Sequence, residues 1–131
     1  MTNSTFPIRS GEDVVRVRQV VRTATVEAGF SLVDQTKFVT AASELARNTL
    51  LHGGGGEVHV VVSEASGRKT VKLVFEDQGP GIVDIERALQ DGYSTGGGLG
   101  LGLSGARRLS SEFRIESTVG QGTRVTIARS R

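Results

Sequence analysis

Two strand–turn–strand patterns constrain the fold of this chain more than any other feature. Residues 57–64 (EVHVVVSE) and 70–77 (TVKLVFED) alternate, or nearly alternate, between apolar and polar positions, and ASGRK lies between them. Residues 113–118 (FRIEST) and 123–129 (TRVTIAR) repeat this arrangement around VGQG. Alternation with a period of two around a short turn predicts an antiparallel hairpin. Two such hairpins predict a mostly antiparallel sheet, with helices covering one of its faces.

Two long helices are predicted ahead of the hairpins. From Glu12 apolar residues recur at helical spacing, and Gly29 stands where a C-terminal cap belongs. Ser31, followed by Asp34 at the third position, is typical of an N-cap, and a second helix is expected to run from there to about Leu51. The buried sides are expected to be Val14, Val17, Val21, Ala24 and Ala28 in the first helix, and Val39, Ala42, Leu45, Ala46 and Leu50 in the second.

Three shorter segments complete the predicted order of elements. TFPIR (5–9) is predicted to be an edge strand, because proline cannot donate to a central ladder. Residues 83–91 and 103–111 are predicted to form short helices. The order is β-α-α-β-β-α-loop-α-β-β, which indicates an α+β fold: a two-layer sandwich with a mixed, mostly antiparallel sheet and helices on one face. Residues 1–131 are expected to form one domain.

Composition excludes several classes of function. The formal net charge is only +2 over 131 residues, and the arginines are spread along the chain, so a nucleic-acid partner is not expected. The absence of cysteine excludes disulfides and thiolate metal sites. No apolar stretch approaches the length of a membrane span, so no membrane partner and a cytoplasmic location are expected.

A glycine-rich stretch, DGYSTGGGLGLGLSGARR, occupies residues 91–108. Its segment GLGLSG (100–105) matches the dinucleotide fingerprint G-x-G-x-x-G, but no buried strand leads into the first glycine. A P-loop is excluded because no Gly-Lys-Ser/Thr follows, and regularly spaced leucines disfavour a passive linker. The remaining interpretation is a loop with apolar anchors, whose backbone N–H groups, together with the start of the following helix, could receive an anion.

Three other segments combine residue types that suit phosphate chemistry. Glu44 and Asn48 share one helix face, where a carboxylate can accept a proton and an amide oxygen can bind Mg²⁺. Asp77 ends a strand before two glycines, and its carboxylate could accept a hydrogen bond from the exocyclic amine of a flat base. Thr123 in GQGT (120–123) could point its hydroxyl into the same pocket. Taken singly, these are also an ordinary exposed polar pair, a strand-ending turn and a hairpin turn.

The order of these segments is more specific than any one of them. E-x-x-x-N, D-x-G-x-G, a glycine-rich lid and G-x-G-T, over residues 44–123, resemble the nucleotide site of the GHKL superfamily of gyrase, Hsp90, histidine-kinase and MutL ATPases. SELARN, EDQGPGI and DGYSTGGGLGLGLSGARRL further resemble the RsbT-like serine/threonine kinases, the switch proteins of stressosomes. That resemblance covers nearly the whole chain, from the first helix to the last strand.

The resemblance implies a role for each matching residue. Glu44 would be the catalytic general base and Asn48 the ligand of Mg²⁺, which bridges the phosphates of ATP. Asp77 would bind the adenine amino group, Gly79 and Gly81 would shape the base pocket, and Thr123 would support the adenine end. The lid against the phosphates would be formed by Gly98, Leu99, Gly100 and Gly102.

The implied activity is phosphorylation of serine or threonine on scaffold proteins of the stressosome type, with ATP and Mg²⁺ as cofactors. Released from the scaffold, such a kinase would bind and activate a downstream effector such as a phosphatase. The alternatives are an RsbW-type anti-sigma factor kinase that sequesters a sigma factor, and an ATPase that drives a conformational clamp. The roles of Arg47, Arg107 and Arg108 are left open. Neither His52 nor His59 is expected to accept phosphate.

Overall fold

The computed structural model describes residues 2–89 and 102–131. Within these residues nine elements follow the predicted order, and they pack as a sheet covered on one face by helices. Their bounds are β1 Thr2–Ile8, α1 Gly11–Glu27, α2 Leu32–Leu51, β2 Gly56–Ala65, β3 Arg68–Asp77, α3 Ile85–Ala88, α4 Gly102–Arg108, β4 Glu112–Thr118 and β5 Gly122–Ser130. The predicted α+β class and two-layer arrangement are confirmed.

The sheet has five strands in the order β1-β2-β3-β5-β4, and each of these pairings is antiparallel. Both predicted hairpins are present as β2–β3 and β4–β5, and β5 inserts between β3 and β4. The strand around Pro7 is an edge strand, as expected. The register places Asp77, at the end of β3, opposite Thr123 near the start of β5.

Both long helices begin with a serine cap. Ser10 and Ser31 each accept a hydrogen bond from the backbone N–H three residues later, which satisfies one of the unpaired donors at each helix start. α1 ends at Glu27, and Gly29 then takes a positive φ of 81°. The predicted caps, Gly29 after α1 and Ser31 before α2, are therefore confirmed, whereas the Ser10 cap was not predicted.

The core lies between the helices and the inner face of the sheet. The predicted stripe of α1 is buried throughout, whereas Leu50 of α2 is only half-buried and Phe38 and Ala41 join the buried side of α2. The inner face of the sheet contributes Val58, Val60, Val71, Leu73, Phe75, Val125 and Ile127. Full burial of such a side chain stabilises the fold by roughly 1.5–3 kcal/mol.

The two short helices are shorter than the sequence predicts. α3 spans Ile85–Ala88 and is capped by Asp84, whose Oδ1 accepts from the backbone N–H of Arg87. α4 ends at Arg108 because the chain then turns into the sheet, where Ser111 donates to the backbone of Ala128. Among the residues that the structure describes, no helix combines the length and apolar character needed to cross a bilayer.

Candidate functional site

The candidate residues meet at one end of the sheet, where β3 ends and β5 begins. Asp77 is the last residue of β3 and is 9% exposed, and its partner Thr123 is 5% exposed. Side chains alternate between the faces of a strand, and both residues lie on the inner, helix-covered face. This geometry brings together two residues that the sequence separates by more than forty positions.

The Asp77 carboxylate is fixed by the loop that follows it. Its Oδ1 accepts a hydrogen bond of 2.9 Å from the backbone N–H of Gly79. Its other oxygen lies over the backbone of Gly53, where an added Cβ would stand only 2.5 Å from Oδ2. Gly53 and Gly79 are in turn so close that a Cβ on Gly79 would lie 2.7 Å from the Gly53 Cα. Glycine is therefore needed at position 53 for Asp77 to keep this position.

Helix α2 presents a polar stripe that leads toward this carboxylate. Glu44, Asn48 and His52 recur every four residues and so share one face, and all three are half-buried. The stripe extends about 12 Å along the helix axis, at 1.5 Å per residue. Within residues 2–89 and 102–131, the side chains of Glu44 and Asn48 make no hydrogen bond or ion pair. Two half-buried polar groups are thus available to a ligand.

The C-terminal end of α2 packs against the Asp77 loop, which is formed by residues 78–84 between β3 and α3. The imidazole Nε2 of His52 lies 3.1 Å from the carbonyl oxygen of Gly81, a hydrogen-bonding distance. The backbone carbonyl of Asn48 accepts from the N–H groups of both His52 and Gly53. The helix end, Gly53 and the Asp77 loop therefore form one connected unit.

The other side of the loop is held by the β4–β5 hairpin. The hydroxyl of Ser117 accepts from the backbone N–H of Ile82 at 2.8 Å and lies 2.9 Å from the hydroxyl of Thr123. Gly81 has a positive φ of 78°, and an added Cβ would lie 2.5 Å from the Thr118 carbonyl oxygen. The loop is therefore clamped between α2 and β4, and the Thr123 hydroxyl is engaged with Ser117.

Comparison with known proteins identifies the family to which this architecture belongs. Residues 33–130 match the family described as histidine kinase-, DNA gyrase B-, and HSP90-like ATPase. The serine/threonine-protein kinase RsbT of Bacillus subtilis (strain 168) is 47% identical over 86% of this chain and 85% of its own length. The chain belongs to this ATPase family and, within it, to the RsbT-like serine/threonine kinases.

Two further similarities bear on function and fold. An anti-sigma F factor of Thermoanaerobacter sp. (strain X514) is 33% identical over 69% of this chain and 66% of its own length. The solved structure of a mycobacterial sensor histidine kinase, MprB, superposes with a TM-score of 0.58 at 20% identity, covering 98% of this chain and 97% of that chain. The second similarity concerns the fold alone, and it agrees with the α+β sandwich described above.

Membership of an ATPase family implies a bound nucleotide, and the residues of this site have the chemistry to hold one. The site offers a carboxylate at the end of β3, a glycine-lined loop beside it, and further along α2 an amide and a carboxylate that have no partner among the described residues. A carboxylate that accepts from an amine, and backbone without side chains beside it, suit a purine ring. An amide oxygen suits Mg²⁺. The residues present therefore fit an ATP–Mg²⁺ complex.

The predicted lid falls largely outside the described residues. This applies to Gly98, Leu99 and Gly100, whereas Gly102 is the first residue of α4. Leu103 is 5% exposed and belongs to the core, as expected of an apolar anchor at the end of the lid. The sequence leaves the roles of three arginines open. Arg47 and Arg107 are exposed, and Arg108 is engaged in an interaction with another group.

Sequence reasoning missed three residues that build the site. His52 enters the predictions only as a residue that is not expected to accept phosphate, but its spacing of four from Asn48 also places it in the stripe, at the end of α2. Ser117 could have been found by counting the predicted hairpin register, which sets it opposite Thr123. Gly53 had no such signal, because its contact with Asp77 depends on how α2 packs against the end of β3.

Proposed function

We propose that this kinase binds ATP beside α2 and the Asp77 loop and transfers its terminal phosphate to a serine or threonine of a partner protein. The observation that supports this most directly is the half-buried pair Glu44 and Asn48, which has no side-chain partner within the part of the chain that the structure describes. The pair lies on a helix whose end is joined to the Asp77 loop. Phosphoryl transfer depends mainly on positioning and on neutralising charge, and the loop at this site is held by hydrogen bonds to α2 and to β4.

The adenine end of the nucleotide is assigned to the Asp77 loop. Asp77 would accept a hydrogen bond from the exocyclic amine. Its carboxylate is already oriented for this, since Oδ1 accepts from Gly79 and the other oxygen faces the helix end. Gly79 and Gly81 leave the backbone open to a flat ring. Thr123 supports this end from the inner face of β5, where Ser117 fixes its hydroxyl.

The phosphate end is assigned to the middle of α2 and to the lid. Asn48 would hold Mg²⁺ through its amide oxygen, and the ion would supply charge neutralisation on the phosphates. Glu44 lies one helical turn further and accepts the proton of the attacking hydroxyl. Gly98, Leu99, Gly100 and Gly102 would bring backbone N–H groups close to the phosphates, an assignment that rests on the sequence motif alone.

The acceptor is proposed to be a scaffold protein of the stressosome type in the cytoplasm. Released from that scaffold, the kinase would bind and activate a downstream effector such as a phosphatase. The 47% identity to a serine/threonine-protein kinase over most of both chains supports the kinase role.

Replacement of Glu44 tests the proposed base. With labelled ATP, Mg²⁺ and candidate scaffold proteins, Glu44→Gln should reduce phosphate transfer by roughly 10²–10⁴-fold, the usual contribution of a general base, while ATP binding is kept. Glu64→Gln is the matched control, because Glu64 is an exposed carboxylate at the far end of β2. Transfer by Glu44→Gln at the wild-type rate would refute the assignment.

A second candidate function is sequestration of a sigma factor. The 33% identity to an anti-sigma F factor favours it. Affinity capture with the tagged chain separates the two: recovery of a sigma factor without scaffold proteins would replace the scaffold-kinase proposal, and recovery of scaffold proteins that the kinase phosphorylates would support it.

A further inference from the structure

The outer face of the sheet carries a cluster that the nucleotide site does not use. On β2, Glu57 and His59 point away from the helices, and Glu76 on β3 stands directly opposite Glu57. Like charges facing each other across two strands destabilise a sheet unless a cation lies between them. We propose that Glu57, His59 and Glu76 bind a divalent transition-metal ion of the zinc class.

The distances between the three groups suit a shared ion. His59 Nε2 lies 3.5 Å from an oxygen of Glu57 and 3.5 Å from an oxygen of Glu76, and all three atoms fall within 4.8 Å of one another. Two ligands bound tetrahedrally at about 2.0–2.1 Å from a zinc ion are separated by about 3.4 Å. The histidine nitrogen is therefore spaced from each carboxylate oxygen as two ligands around one centre are, and both separations are at the long limit of a direct hydrogen bond.

The neighbouring strand orients the imidazole for this role. The Thr5 hydroxyl on β1 lies 2.9 Å from His59 Nδ1. A hydroxyl at this distance can accept from Nδ1–H, and the lone pair is then on Nε2, which faces the two carboxylates. Metal-bound histidines are usually held through their second nitrogen in this way. Three strands thus contribute to the site, two with ligands and one with the group that orients the histidine.

Charge and exposure also favour a cation at this position. The two glutamates are partly balanced by Arg124, whose Nε lies 3.3 Å from the same oxygen of Glu76. One negative charge is left over, and a metal ion must share that oxygen with Arg124 or take the other one. The His59 and Glu76 side chains are 28% and 34% exposed, so an ion can reach them. Histidine with two carboxylates leaves one tetrahedral position for water.

The site is separate from the nucleotide cleft. Glu76 and Asp77 are consecutive in β3, so their side chains lie on opposite faces of the sheet. Zinc binding can therefore be measured on the full chain without nucleotide, and its outcome does not depend on the kinase proposal.

Calorimetric titration of the full chain with Zn²⁺, and absorption spectra with Co²⁺, test the site. We expect one equivalent to bind and the Co²⁺ form to show the intense visible bands of tetrahedral coordination. His59→Ala and Glu57→Gln should each weaken binding on the order of ten-fold or more, and Thr5→Val about ten-fold through loss of the orienting contact. Glu64→Gln, on the same strand outside the cluster, should bind as the wild type does.

Glu57→Gln keeps the test decisive if His59→Ala fails to fold, because Glu57 is the most exposed ligand. The proposal is overturned if no binding is detected, if both ligand variants bind Zn²⁺ as tightly as the wild type, or if the Co²⁺ spectrum is that of an octahedral aquo ion.

Discussion

At the scale of single residues, the candidate site depends on positions that lack a side chain as much as on the side chains that are present. Position 53 has no side chain, and the Asp77 carboxylate occupies the space that a side chain would need. The same holds at Gly81, where the Thr118 carbonyl fills that space. Close approach of backbone, together with the hydrogen bond from Gly79 to Asp77, sets the position of the groups that we assign to the base of the nucleotide.

Gly53→Ala is expected to weaken ATP binding by about ten-fold or more, because displacing a binding group by an ångström has effects of this order. The new methyl group would stand 2.5 Å from Oδ2 of Asp77 and must push the carboxylate aside. Equilibrium binding of ATP measures the effect. Gly11→Ala is the control, since nothing lies within 4 Å of a Cβ there. Equal affinity of both variants would contradict the role given to Asp77.

At the scale of elements, α2 links the proposed phosphate and adenine ends. Its start is capped by Ser31 and tied to β5 by an ion pair of 2.9 Å between Asp34 and Arg129. Its end is docked to the Asp77 loop through His52. The helix is therefore anchored at both ends, with Glu44 and Asn48 between the anchors.

His52→Ala is expected to weaken ATP binding several-fold while changing the free energy of unfolding by only about 1 kcal/mol, the usual worth of one hydrogen bond. The reason is that His52 positions the loop through the Gly81 carbonyl. Calorimetric binding and urea unfolding measure the two quantities. Loss of stability with unchanged ATP affinity would show that the contact supports the fold alone.

The sequence predicts elements with local signals well, and contacts between distant elements poorly. The Ser31 cap, the hairpin alternation and the Pro7 edge strand each depend on neighbouring residues, and all three predictions are confirmed. The insertion of β5 between β3 and β4 had no local signal, yet it is this insertion that sets Thr123 beside Asp77. The motif order indicated that these residues belong together, and the roles assigned to them stay a prediction.

At the scale of the whole molecule, one sheet carries both proposed sites, the nucleotide site on its inner face and the metal site on its outer face. β3 lies at its centre, with β1 and β2 on one side and β5 and β4 on the other. The core residues Leu73 and Phe75 of β3 are almost completely buried. Damage to the middle of this strand should therefore affect the entire fold.

Leu73→Ala is expected to lower the free energy of unfolding by about 2–5 kcal/mol, through lost burial and the cavity that remains. Urea unfolding followed by circular dichroism measures this. Lys72→Ala is the control, because the adjacent side chain is exposed on the other face. A loss below that of the control would mean that the core can collapse around the missing side chain.

The alternation along β3 means that a residue's position in the strand decides which face of the sheet its side chain occupies. Odd positions from Val71 to Asp77 turn inward and even positions turn outward, so the candidate nucleotide carboxylate and the candidate metal carboxylate are adjacent in the chain yet separated by the thickness of the sheet. A single residue inserted between Arg68 and Glu76 would exchange the two faces from that point on. At the Ser66–Gly67 turn, where nothing lies within 4 Å of a Cβ on Gly67, residues can be added without exchanging the two faces.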